Sequence, residues 1–309
     1  MGDTACLSDG RPWHDYYAQF SEFSDATVRP GCQPWVFTHA TPAAKAVVLC
    51  HGLTDSPYFL KAIGRYFHHQ LGYDVYLPLL QGHGLKKPKG MEGVQLEAWK
   101  ANVDFAVRTA AGKAASVSIG GLSTGGTLSV YTACTDPTIT GDLFLFSAAL
   151  DLAGGPGGVI GEMKERLLLT PLADLLDSDA PLIGPNPYRY ARMDMDGARE
   201  LARLIKETDA LLSGFDTAHP FPTRVFAAHS ESDTTADIQG IRNLRQKTPD
   251  QRFEAFIIPR KKAVPHASLV LAEPIFASHA KPGDPPLETA NPMFAEMMEA
   301  VANFVNQAS

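Results

Sequence analysis

The sequence predicts an α/β fold: a mostly parallel central sheet covered by helices on both faces, interrupted by one helical insertion. Three observations lead there. Short apolar runs alternate along the chain with longer stretches of helical period. The alternation breaks once, between about residues 153 and 219. A Gly-x-Ser-x-Gly motif, Gly121-Leu122-Ser123-Thr124-Gly125, falls where an apolar run gives way to a helical pattern.

The strand candidates are residues 35–38, 46–50, 74–78, 116–120, 143–147, 224–228 and 253–258. Most read as continuous apolar runs, the pattern of strands buried on both faces. Between them, Phe59, Ile63, Tyr66 and Phe67 mark one helix, and Leu96, Trp99, Val103 and Val107 a second. A third begins after Ser123 and runs through Leu128 and Tyr131. The last carries Phe294, Met297, Met298, Val301, Phe304 and Val305 on one face.

Residues 153–219 contain no convincing strand. They open on Gly154-Gly155-Pro156-Gly157-Gly158 and hold two helical patterns, 159–176 and 196–213. No Lys-Ser or Lys-Thr pair follows the glycines at phosphate-loop spacing, so they read as a hinge. The chain thus divides into a core, residues 1–152 and 220–309, and an insertion, 153–219, over the carboxyl edge of the sheet, where open sheets bind ligands. The apolar positions of the insertion, Leu167, Leu168, Leu172, Leu175, Leu176, Leu201, Leu204, Leu211 and Leu212, read chiefly as helix packing. Twelve of the 23 prolines lie in two windows, 156–187 and 259–292. Both are expected to border the site, where proline limits the freedom of loops.

Charge and cysteine usage exclude several classes. The 309 residues carry 27 basic and 34 acidic side chains, a net charge of -7. The densest basic run is only Arg260-Lys261-Lys262, which argues against a nucleic-acid partner. No apolar run approaches the roughly 18 residues of a membrane helix. The first residues lack the pattern of a secretory signal, which predicts a cytoplasmic protein, although a trimmed exported form would read identically. Cys6, Cys32, Cys50 and Cys134 show no metal-binding spacing; Cys50 and Cys134 read as small hydrophobes. Cys6 and Cys32 could pair, with free thiols the preferred reading. Neither a metal nor a cofactor is expected.

The Gly-x-Ser-x-Gly pattern alone is weak in a chain with 26 glycines. Its context gives it weight. A serine on a tight strand-to-helix turn needs small residues two positions to either side, here Gly121 and Gly125, because the backbone is crowded there. The turn lifts the hydroxyl above the sheet and sets it at a helix N-terminus, whose N–H groups face developing negative charge. Upstream, the strand ending at Cys50 leads into His51-Gly52-Leu53-Thr54, a loop able to supply a second donor. Leu53 N–H and Thr124 N–H are therefore the expected oxyanion pair. His51 is read as shaping that loop rather than as a base. Downstream, the strand at 224–228 leads into Glu231 and Asp233, and the final strand leads to Pro265-His266. Asp233 is preferred to Glu231 and Asp237 as the carboxylate that orients an imidazole, and His266 is preferred to His279 as the base.

On these residues the chain resembles the α/β-hydrolase superfamily, and within it the serine carboxylesterase and monoacylglycerol lipase branch. The matching segments are His51-Gly52-Leu53-Thr54-Asp55-Ser56-Pro57, Gly82-His83-Gly84, Trp99, Gly121 to Gly126, Ser230 to Asp233, and His266. The order Ser…Asp…His is that of this superfamily. The resemblance implies hydrolysis of a small-molecule ester through an acyl-enzyme on Ser123, with His266 as base and Asp233 as its orienter, and a helical cap in the insertion. His83 belongs to a loop motif that is structural in such enzymes. Amide, peptide or carbon–carbon cleavage on the same scaffold is the alternative, with a non-catalytic binding protein behind it. A serine at the elbow disfavours dehalogenase and epoxide hydrolase chemistry, which uses an aspartate there. Two features depart from the branch. His266 lies 28 residues before Phe294, with Pro274, Pro282, Pro285, Pro286 and Pro292 between. A single glycine follows His51, unlike the multiple-glycine loop of hormone-sensitive-lipase-like esterases.

Overall fold

A computed structural model describes residues 10–87, 89–152, 185–192 and 194–307. Eight strands form one sheet among them: β1 (Arg11–Pro12), β2 (Trp35–Phe37), β3 (Lys45–Cys50), β4 (Asp74–Leu77), β5 (Ser116–Leu122), β6 (Leu143–Phe146), β7 (Val225–Ser230) and β8 (Phe253–Ile258). Their order is β1-β2-β4-β3-β5-β6-β7-β8. β2 runs antiparallel to β1 and β4, and every pairing from β4 to β8 is parallel. Parallel pairing sends the chain out of each of these strands at one edge of the sheet, which gathers the loops after β3, β5, β7 and β8.

Strand residues alternate between two layers. Val48, Cys50, Ile119, Leu143, Leu145 and Ala227 face one apolar cluster, while Val47, Leu49, Phe144, Phe146, Phe226 and Ala228 face the other. The first layer receives Tyr16 of α1 (His14–Gln19), Trp99, Val103 and Val107 of α3 (Leu96–Ala111), Leu128 of α4 (Thr124–Thr135) and Ile241 and Leu244 of α6 (Ile238–Lys247). The second receives Ile63 and Phe67 of α2 (Lys61–Leu71), with Met297, Met298, Val301, Phe304 and Val305 of α7 (Phe294–Asn306). Each such side chain, fully buried, contributes roughly 1.5–3 kcal/mol, which fixes both helix layers to the sheet. α2 stops at Gly72, whose φ of 71° places it in the left-handed region; its N–H donates to the Phe67 carbonyl.

The predicted strands are all present, with shifted ends. β5 continues through Gly121 and Leu122, paired with Leu145 and Phe146, so it reaches Ser123 directly. β7 likewise extends to Ser230. The unpredicted β1 is a two-residue edge strand too short to show periodicity, and Pro12, lacking an N–H, suits an edge. Of the insertion, the helix expected at 196–213 is α5 (Met195–Leu212), capped by Asp194, which accepts from Asp196 N–H. Its Leu201, Leu204, Ile205 and Leu212 pack into the α3 and α4 layer. The glycine cluster, the 159–176 pattern and the insertion's leading boundary lie outside the described residues. Cys32 and Cys50 are buried free thiols and Cys134 on α4 is a half-buried one, whereas Cys6 lies outside the described residues. No helix among the described residues is long and apolar enough to cross a membrane.

Candidate active site

Ser123 occupies the one-residue turn between β5 and α4, with φ 53° and ψ -119°. A positive φ is costly for serine, and the surroundings enforce it. Ser123 N–H donates to the Phe146 carbonyl (3.1 Å), and its own carbonyl accepts from Thr127 N–H (3.1 Å) and Ala149 N–H (3.2 Å). The glycines are required by close approach. A Cβ on Gly121 would lie 2.5 Å from the Gly125 carbonyl carbon, and one on Gly125 would lie 2.5 Å from the His51 carbonyl oxygen. The elbow and the loop after β3 are therefore in backbone contact.

That loop is locked by His51. Its Nδ1–H donates to the Gly52 carbonyl (2.9 Å), and its Nε2 accepts from Leu80 N–H (3.1 Å). Both nitrogens are occupied, and burial, helped by neighbouring His83, holds the ring well below the ordinary imidazole range. His51 is thus a neutral structural group, and Leu53 and Thr54 follow from a fixed turn. Neither Leu53 N–H nor Thr124 N–H has a backbone partner among the described residues. His83 is also buried, with Nδ1 bonded to the Gln81 carbonyl at 3.0 Å, and burial drives it down to about 4.

Across the same sheet edge, the loops after β7 and β8 bring Asp233 and His266 together. His266 Nδ1 donates to Asp233 Oδ2 at 2.6 Å, and the carboxylate is fully buried. Asp233 Oδ1 accepts from Thr235 N–H (2.8 Å) and Ala236 N–H (3.0 Å), so both oxygens are held. Burial alone would raise the Asp233 pKa; the charge and hydrogen bond of His266 outweigh it and bring the group to about 2. For His266, burial disfavours the charged ring, yet the Asp233 carboxylate overcomes this and raises the imidazole above its ordinary value. The arrangement fixes His266 with Nδ1 protonated and leaves Nε2 to accept a proton. A hydrogen bond between the Ser123 hydroxyl and His266 is not among those of the described residues; such contacts are often loose before substrate binds.

The competing residues are committed elsewhere. Glu231 accepts from Arg260 N–H at 2.9 Å, and Asp237 caps α6 through Gln239 N–H at 2.8 Å. His279 is exposed in the long proline-rich loop. Two buried groups beside the site were not singled out in the sequence. His229 on β7 lies 3.9 Å from Asp233 Oδ2, and burial lowers its pKa. Asp55, two residues after Leu53, faces Arg189; burial outweighs that cation and lifts the carboxyl to about 6.

Comparison with known proteins places the fold. Residues 41–262 match the family model described as Serine aminopeptidase, S33. A thermostable monoacylglycerol lipase from Bacillus sp. (strain H-257) is 30% identical over 189 residues, covering 60% of this chain and 70% of that protein. Among solved structures, one described with two metagenome-derived lipolytic enzymes, LipS and LipT, superimposes with a TM-score of 0.66 at 19% identity, covering 91% of this chain and 99% of that one. A soluble variant of the monoglyceride lipase from Saccharomyces cerevisiae, in complex with a substrate analogue, gives 0.60 at 14% identity, covering 90% and 91%. At such identities these structures speak for the fold, while the family match spans well over half of the chain. The chain belongs to the Serine aminopeptidase, S33 family and is an α/β-hydrolase of the monoacylglycerol-lipase-like branch.

Proposed function

We propose that the protein is a serine hydrolase that cleaves carboxylic esters through an acyl-enzyme on Ser123. The observation that carries this reading is the 2.6 Å Asp233–His266 pair at the sheet edge where β5 presents Ser123. His266 Nε2 takes the Ser123 proton as Oγ attacks the ester carbonyl. Asp233 holds the ring in the required tautomer and stabilises the imidazolium. The Leu53 and Thr124 N–H groups receive the oxyanion, and His266 then protonates the leaving alcohol. Water repeats the cycle on the acyl-enzyme.

The lipase names of the relatives favour an ester, whereas the name of the matched family speaks of aminopeptidases. Nitrophenyl esters of graded acyl length, assayed beside aminoacyl nitroanilides, separate the two. Ester turnover that falls at least ~10³-fold in a folded Ser123→Ala variant supports the reading. Anilide turnover without ester turnover would replace it with the peptidase alternative.

A further inference from the structure

The loop carrying Leu53 and Asp55 is gripped by Arg189 and, through it, by Glu288, two charged residues from distant parts of the chain. Thr54, a β-branched residue, sits at φ 69°, a left-handed conformation that persists only where its surroundings impose it. The segment 188–190, which precedes α5, supplies that imposition. Tyr190 N–H donates to the Thr54 carbonyl (2.9 Å), Arg189 Nη2 donates to Thr54 Oγ1 (3.1 Å), and Ser56 Oγ donates to the Tyr188 carbonyl (2.7 Å). Arg189 also pairs with two buried carboxylates. Its Nε lies 3.1 Å from Asp55 Oδ1, and its Nη1 donates to Glu288 Oε1 at 2.8 Å.

Glu288 comes from the long loop after His266. There it is placed by a small ladder in which Ile275 N–H donates to the Glu288 carbonyl (2.9 Å) and Leu287 N–H to the Ile275 carbonyl (2.7 Å). The long proline-rich loop after His266 thus delivers one carboxylate to the cluster. Asp55 is the other, and it stands beside the nucleophile. A Cβ built on Gly52 would lie 2.6 Å from Asp55 Oδ2 and 3.3 Å from Ser123 Cβ, so carboxylate and serine are at most about 6 Å apart. A bare carboxylate at that distance would oppose negative charge forming on a substrate oxygen.

We infer that Arg189 is a positioning residue of this site: held between Asp55 and Glu288, it fixes the left-handed turn that presents the Leu53 N–H and neutralises the carboxylate beside Ser123. The inference rests on the oxyanion role proposed for Leu53. Removing one member of a buried ion cluster leaves the others uncompensated, whereas removing the charges together is tolerated. Arg189 and its partners therefore have a signature that packing alone lacks.

The test compares wild type with Arg189→Met, Arg189→Lys and the double variant Asp55→Asn/Arg189→Met. Readouts are short-chain nitrophenyl ester kinetics from pH 5 to 9 and amide hydrogen exchange of the peptide spanning residues 52–57. In Arg189→Met, kcat is expected to fall roughly 100-fold, the scale of one lost oxyanion donor, with KM within about threefold. Among the charged groups of the described residues, Asp55 then faces Glu288 and His266. Its ionisation on raising the pH should cut the rate further, giving an alkaline decline that Asp55→Asn removes while restoring at least part of kcat. Exchange in 52–57 should quicken. Arg189→Lys, which keeps the charge but not the fork, should fall between, and it carries the same comparison if Arg189→Met does not fold. Retained kcat with unchanged exchange overturns the inference. An equal loss in the single and double variants, with no alkaline decline, reduces Arg189 to a packing role and also overturns it. A wild type without esterase activity would instead sink the functional reading, and the exchange comparison would still decide on Arg189.

Discussion

Asp233→Asn is the substitution on which the site geometry bears most heavily. The amide keeps Oδ1 for Thr235 N–H and Ala236 N–H, but it turns an NH2 toward His266 Nδ1, where Oδ2 accepted a hydrogen bond at 2.6 Å. The ring must then accept at Nδ1 and carry its proton on Nε2, the nitrogen required to take the proton of Ser123. The variant also loses the charge that stabilises imidazolium. The corresponding change in a Ser-His-Asp protease costs about 10⁴-fold in kcat, or about 5 kcal/mol of barrier, and a similar loss of kcat/KM is expected here. Stability falls by less. A carboxylate held at about 2 rather than its ordinary 3.8 contributes about 2 kcal/mol at neutral pH. That contribution is full above the unfolded-state value and disappears as pH drops from about 3.8 to about 2. A thermal melt at pH 7 should fall by a few degrees, since the scale of about 2–4 °C per kcal/mol for 150–250 residues shrinks in a chain of 309. The assay is nitrophenyl ester hydrolysis beside a melting curve. A folded variant within tenfold of wild-type kcat/KM would refute the assigned roles of Asp233 and His266.

Two further outcomes follow from the same contacts. Because Asp233 raises the His266 pKa, kcat/KM should climb with pH to a midpoint above the ordinary 6.5 and then level, as the neutral ring becomes available; a pH-independent profile would contradict this. The charged ring stabilises the fold below the unfolded value, so this contribution is lost as pH rises through the raised value. Gly125→Ala drives a methyl to within 2.5 Å of the His51 carbonyl oxygen, and overpacking of this kind costs about 1–3 kcal/mol or more. Loss of ester turnover together with a lowered melting temperature is expected, and a variant that melts and turns over like wild type would show that the elbow can relax.

What the sequence disclosed was local chemistry. The Ser123 turn is encoded within five residues, and the strand before it and the helix after it are plain in their periodicity. Asp233 and His266 could be nominated because each follows a recognisable strand, although sequence alone left Glu231 and Asp237 as competitors; the structure shows them bound to Arg260 and Gln239. The Arg189 cluster had no such signal. Its members come from three remote loops, and a buried ion pair leaves no trace in hydrophobic pattern. β1 was invisible because two residues cannot show alternation. Of the two proline windows, most of 156–187 lies outside the described residues, whereas 259–292 includes Pro265, next to His266, and the loop that positions Glu288.

The most direct test of the central assignment is to treat the protein with a fluorophosphonate and map the adduct by peptide mass spectrometry. One phosphonyl group is expected on the peptide containing Ser123, with labelling abolished in Ser123→Ala and slowed in Asp233→Asn. An unlabelled protein, or an adduct on another residue that survives Ser123→Ala, would contradict it.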